Sequence, residues 1–122
     1  MKKFIVILVA LIGFGFSANA QSATVTYAGF DGINSSQLTA TIKVTIEPTF
    51  TPTERGSYAF TVSASSIPGV SLRQTTQTLY AEWNGSRWVT DNGWSVYFAC
   101  NLQDASISQC SSHSFSVSAR KR

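Results

Sequence analysis

The chain has 122 residues, 9 basic and 6 acidic, and a formal net charge of +3. Its length allows one modest core, and a hydrophobic share of 43%, with 12% aromatic, excludes a disordered chain. Without Lys2 and Lys3, 7 basic residues oppose 6 acidic ones, a net of +1, and three of the seven are Arg120-Lys121-Arg122. No basic stripe of the kind nucleic acid requires is therefore expected, and no nucleic-acid partner.

The first stretch reads as an export signal. Lys2 and Lys3 precede an unbroken apolar and glycine run from Phe4 to Phe16, and Ser17-Ala18-Asn19-Ala20 supplies the small residues a signal peptidase reads. The expectation is a signal peptide over 1–20 and a single domain over 21–122. The run is too short to span a bilayer well, and no cysteine follows the cleavage site to carry a lipid. The expected location is periplasmic, cell-surface or extracellular, with no stable membrane insertion after cleavage.

From Ala23 onward the pattern is period two, the period of a half-buried strand. Val25 and Tyr27 alternate with Thr24 and Thr26, and Gly29-Phe30-Asp31-Gly32 signals a turn. Leu38, Ala40, Ile42, Val44 and Ile46 alternate with Thr39, Thr41, Lys43, Thr45 and Glu47, the clearest strand in the chain. Pro48 ends it, and a loop runs to Gly56. Tyr58, Phe60, Val62 and Ala64 form the next alternation, and Ser65 to Gly69 is a turn. Val70 to Gln74 is a short, weaker strand. Phe115, Val117 and Ala119 alternate with serines in the last strand. Roughly thirty residues after Ala20 are Ser or Thr, which suits strands and turns. No long helix pattern occurs. Seven or eight strands at about ten-residue spacing predict an all-β fold, a small antiparallel β-sandwich, immunoglobulin-like or jelly-roll-like.

Between Leu79 and Cys110 lie all three tryptophans and both cysteines. Turn signals at Asn84-Gly85 and Asp91-Asn92-Gly93 cut this stretch into what reads as a β-meander. A first turn at Asn84-Gly85 or at Gly85-Ser86 leaves Leu79, Ala81, Trp83 and Trp88 on one face. A two-residue second turn at Asn92-Gly93 sets Trp88 beside Tyr97, facing away from Trp94, Val96 and Phe98. A three-residue loop with Gly93 left-handed puts Trp83, Trp88, Trp94, Val96, Phe98 and Cys100 on one face, and leaves Tyr80, Glu82, Arg87, Val89, Ser95 and Tyr97 outside. Burial of large aromatics favours the second solution. The first would make Trp83, Trp88 and Tyr97 an exposed strip able to stack on sugar rings.

Cys100 and Cys110, in an oxidising compartment, are expected to form one disulfide, because their spacing fits neither a redox nor a zinc motif. His113 has serine neighbours but no nucleophile-elbow motif, and reads as a surface histidine. The carboxylates Asp31, Glu47, Glu54, Glu82, Asp91 and Asp104 are unclustered. Glu82 is expected to pair with Arg87 across the hairpin. Asp31-Gly32-Ile33-Asn34 lacks the further acids a calcium site needs. The Arg120-Lys121-Arg122 tail reads as a frayed terminus.

These readings lead to a non-catalytic binding module without metal or cofactor, its ligand a carbohydrate at the cell surface, its candidate binding residues Tyr80, Trp83, Arg87, Trp88 and Tyr97. Two alternatives stand beside it. One is a structural or assembly subunit that joins another envelope protein through a sheet edge. The other is a small inhibitor of a secreted enzyme, inserting the Pro48–Gly56 or Cys100–Cys110 loop.

Overall fold

The computed structural model describes residues 23–122; the signal-peptide expectation over 1–20 lies outside them. Seven strands and one short helix follow in order: β1 (Ala23–Asn34), β2 (Thr39–Pro48), β3 (Gly56–Ala64), β4 (Thr76–Trp83), β5 (Trp88–Val89), β6 (Ser95–Asn101), α1 (Ile107–Cys110) and β7 (Phe115–Lys121). They form two antiparallel sheets, β1-β2-β6 and β5-β4-β3-β7. The β7-β3-β4-β5 order is a Greek-key arrangement, with the chain visiting the other sheet as β6 before returning as β7. The expected β-sandwich is the fold.

Period-two alternation builds the interior. Ala40, Ile42, Val44 and Ile46 of β2 are buried against Val96, Phe98 and Cys100 of β6 in one sheet. Tyr58, Phe60 and Val62 of β3, with Ala81 and Ala119 beside them, face these from the other. An aromatic cluster fills the β5 end. The Trp88 ring lies 5.3 Å from those of Tyr58 and Phe60, 5.4 Å from Trp83, 5.5 Å from Phe50 and 6.0 Å from Trp94. All five are edge-on arrangements, the favoured geometry for π-systems with negative faces and positive edges. Phe50 pins the loop between β2 and β3 onto this cluster, and the Tyr58 hydroxyl donates to the Glu54 carbonyl at 2.9 Å. Burial, and second the Glu54 carboxylate, push the Tyr58 phenol above its ordinary value.

The expected meander is half right. The first hairpin turns at Gly85-Ser86, pairing Trp83 with Trp88. The Asn84 side chain accepts the Ser86 and Arg87 N–H groups at 2.8 and 2.9 Å, and Gly85 takes a positive φ of 99°. The second hairpin does not exist. β5 pairs only with β4 among the described residues, and the chain crosses through Thr90 to Trp94 to the opposite sheet, where β6 pairs with β2. Gly93 is left-handed, at φ 79°, but it serves a crossover. The facing nonetheless follows the solution that buries the aromatics: Trp83, Trp88 and Trp94 pack on the core while Val96, Phe98 and Cys100 lie within it.

Other expectations need correction. Gly29 to Gly32 is no turn: β1 runs through it, with register shifts at Val25/Tyr27 and Phe30/Gly32. The first shift turns Tyr27 outward. Its ring then folds back over Gly29, where a Cβ would meet its hydroxyl at 2.8 Å. Val70 to Gln74 forms no strand; it makes two isolated bridges, Val70 to Ile67 and Leu72 to Cys100, the second along the free side of β6. Between β6 and β7 lies the four-residue α1, closed by a capping box in which Ser106 and Gln109 satisfy each other's backbone N–H groups. Cys110 ends α1 and is bonded to Cys100, with Cα atoms 5.9 Å apart, as expected. His113 is buried at 6% exposure, not a surface residue. Its Nδ1 donates to the Cys110 carbonyl at 3.1 Å.

Candidate functional site

The outward face of β4 is where the candidate residues and the surface hollows coincide. Tyr80 and Glu82 alternate with the inward Leu79, Ala81 and Trp83, so they stand on the solvent side of the four-stranded sheet. Tyr80 is opposite Ala59, and Glu82 is flanked by Ser57 and Val89. Ala59 and Ser57 are small, which leaves the Tyr80 ring standing above its neighbours at 53% exposure.

The C-terminal residues complete this surface. Arg122 is ordered, not frayed: its backbone N–H donates to the Ser57 carbonyl at 2.9 Å, and its Nη1 donates to Ser57 Oγ at 3.2 Å. Its guanidinium carbon lies 4.2 Å from the Tyr80 ring centre, a cation–π contact. Lys121 meets Glu54 at 3.8 Å; both are exposed, so the pair contributes little to stability.

Two hollows flank Tyr80. The first, of about 200 Å³, is lined by Ser57, Tyr80, Glu82, Asp91 and Arg122 among others. The second, of about 300 Å³, shares Tyr80 and Asp91 and adds Thr78, Asn92, Gly93 and Ser95. It opens at the seam where the chain crosses from β5 to β6. Together they form a trough with one aromatic ring, two carboxylates, one guanidinium, one amide and several hydroxyls.

The five candidate residues are not brought together. Tyr80 lines both hollows. Trp83 and Trp88 touch each other but on the opposite side of the same sheet, packed on the core. Tyr97, 49% exposed, stands on the outer face of the other sheet, opposite Lys43. Arg87 is exposed at the end of the β4–β5 turn and makes no ion pair with Glu82 among the described residues. The strip of Trp83, Trp88 and Tyr97 that β5–β6 pairing would create is not formed. Asp91, Asn92 and Arg122 join Tyr80 instead. Of these, only Arg122 was signalled by alternation, since it shares parity with the outward Ser116, Ser118 and Arg120.

All six carboxylate side chains belong to exposed residues. No group of three or more His, Cys, Asp or Glu is placed to hold a metal among the described residues. The Ser112 hydroxyl donates to the Gln109 carbonyl at 2.6 Å, not to the His113 ring.

No family model, curated protein or solved structure matches the sequence.

Proposed function

We propose that this chain is an exported, non-catalytic binding module that takes a carbohydrate in the trough around Tyr80. The observation that carries the reading is the sharing of Tyr80 and Asp91 by two adjacent hollows on an otherwise hydroxyl-rich sheet face. An exposed aromatic ring offers an apolar surface to the C–H face of a sugar, and the surrounding carboxylates, amide and hydroxyls offer partners to its hydroxyls. Glu82 and Asp91 are exposed and lack the apolar enclosure that a glycosidase's general acid needs, which supports binding over hydrolysis. Export rests on the leader pattern, and a buried disulfide is compatible with it. No described helix is long and apolar enough to cross a membrane.

Calorimetric titration with soluble oligosaccharides tests the reading. Tyr80→Ala is expected to weaken binding about tenfold, the loss of roughly 1.4 kcal/mol of ring contact. Tyr97→Ala, on the far face, is expected to change nothing. Equal affinities for the wild type and Tyr80→Ala would sink the proposal.

The assembly reading keeps one specific support. β1 is a twelve-residue edge strand on which Tyr27, Phe30 and Ile33 are exposed. Phe30 and Ile33 lie opposite the buried Ile42 and Ala40, so they face inward at a margin of the sandwich that is not fully covered. Against it, every edge is blunted. β1 carries two bulges, β5 has two residues, and β7 ends in Arg120 and Lys121. The free side of β6 is occupied where Arg73 N–H meets the Ala99 carbonyl and Asn101 N–H meets the Ser71 carbonyl, at 2.9 and 3.0 Å. Sedimentation velocity over a hundredfold concentration range is expected to show a monomer throughout. A concentration-dependent polymer abolished by a charge at Phe30 would favour assembly instead.

A further inference from the structure

The trough, we infer, is a two-subsite site for a neutral oligosaccharide, with Asp91 as the acceptor shared between the subsites. The inference rests on the glycan reading above and adds ligand length and charge to it. Three observations carry it.

The first is division. The first hollow lies below the range of small-molecule sites, about 300–1,000 Å³, and the second only reaches its lower end, whereas the pair lies inside it. Tyr80 and Asp91 border both, so a ligand that fills the trough must pass them. A single sugar unit engages one side; a longer segment engages both.

The second is donor–acceptor chemistry. The first hollow holds two carboxylates, Glu82 and Asp91. Ionised carboxylates only accept, and a sugar's adjacent hydroxyls are paired donors, so each carboxylate takes up charge-assisted hydrogen bonds from them. The one cation there, Arg122, is already engaged by Ser57 Oγ and the Tyr80 ring. The second hollow offers Thr78, Asn92 and Ser95, which both donate and accept, and no cation. A uronate brought into either hollow meets a like charge at Asp91, while a neutral hydroxyl meets a strong acceptor. Discrimination by an unfavourable charge is as effective as an added contact.

The third is backbone access. Gly93 lines the second hollow, and a Cβ built on it would touch nothing within 4 Å. Its φ of 79° is one that other residues adopt only with strain. Glycine thus leaves the wall of this subsite low and open to a ligand.

The test is a glycan array carrying neutral and uronate chains of one to six units, read with the folded chain and with Asp91→Asn and Glu82→Gln. Asp91 and Glu82 are exposed, so both variants are expected to fold, which the far-ultraviolet circular dichroism of each confirms independently. The expected pattern is binding to neutral chains of two units or more, weaker binding to single units, and none to uronates. Asp91→Asn is expected to lower affinity for neutral chains about tenfold or more, the loss of a charge-assisted bond. Glu82→Gln, confined to one subsite, is expected to lower it less. Absence of binding to any glycan overturns the proposed function and this inference together. Preference for uronates, equal affinity for one and several units, or full binding by Asp91→Asn overturns the inference alone.

Discussion

Trp88→Ala is expected to lower the free energy of unfolding by about 3 kcal/mol or more, the lower part of the range for a large aromatic cut to alanine in a core. The side chain is half-buried, which argues for the lower part. Its position argues against anything smaller. Trp88 sits on a two-residue strand, so no extended ladder holds it; the ring holds the strand. That ring meets five others within 6.0 Å: Tyr58 and Phe60 of β3, Trp83 of β4, Phe50 of the β2–β3 loop and Trp94 of the crossover. Truncation leaves a cavity that these five cannot all close at once, because they are fixed to four different segments. A domain of this size has about 5–15 kcal/mol in total, so the variant loses a large share of its margin. Trp88→Phe keeps an aromatic edge and is expected to cost roughly half as much. Urea denaturation followed by circular dichroism reads both. A loss below about 1 kcal/mol for the alanine variant would show that the β5 end is held by something else.

How far the chain could be read without coordinates follows from what alternation encodes. Period two states which face a residue takes along one strand; from Leu79 to Cys100 the facing is that of the solution that buries the aromatics, and not that of the exposed strip which made Trp83 and Trp88 binding candidates. It does not state which strand lies alongside. Asp91-Asn92-Gly93 has hairpin chemistry, yet β6 pairs with β2, aligning Phe98 with Ile42 and Val96 with Val44. The paired residues lie 50 (Thr45 and Ser95) to 62 (Thr39 and Asn101) positions apart, and no local signal points to that partner. The Gly29–Gly32 stretch misled for a related reason. Glycine at a bulge and glycine at a turn are indistinguishable in sequence; the shift between Phe30 and Gly32 lets β1 run on through the glycines, and the one between Val25 and Tyr27 takes Tyr27 off the face of Val25.

Parity also encodes the facing of two residues flanking the last strand. His113 shares parity with Phe115, Val117 and Ala119, so extending the last strand's alternation by one step places it inward despite its serine neighbours. The same step forward places Arg122 outward beside Arg120, on the sheet face that carries Tyr80. The trough itself was not legible, because Asp91 and Asn92 reach Tyr80 only through the crossover that the hairpin reading denied.

The disulfide separates stability from the proposed site. Cys100→Ala with Cys110→Ala is expected to lower stability by about 3 kcal/mol, from the closure entropy of a loop with a sequence separation of 10. Both sulfurs are fully buried, so the paired serine variant is expected to lose more, leaving hydroxyls without partners in an apolar interior. The cost has a clear structural origin. A four-residue helix has no stability of its own, and the bond to Cys100 is what ties α1 and the segment leading to His113 onto β6. Burial also protects the bond: reduction by dithiothreitol is expected to be slow in buffer and fast in urea, read by thiol labelling. Cys100 lies at the far end of β6 from Ser95 and Val96, roughly 14–17 Å along the strand. Carbohydrate binding at Tyr80 is therefore expected to survive in the double alanine variant, at a temperature where that variant remains folded. Loss of binding with the fold intact would mean that the Cys100–Cys110 loop takes part in recognition, as an inserted inhibitor loop would, and the site would have to move from the β4 face to the opposite end of the sandwich.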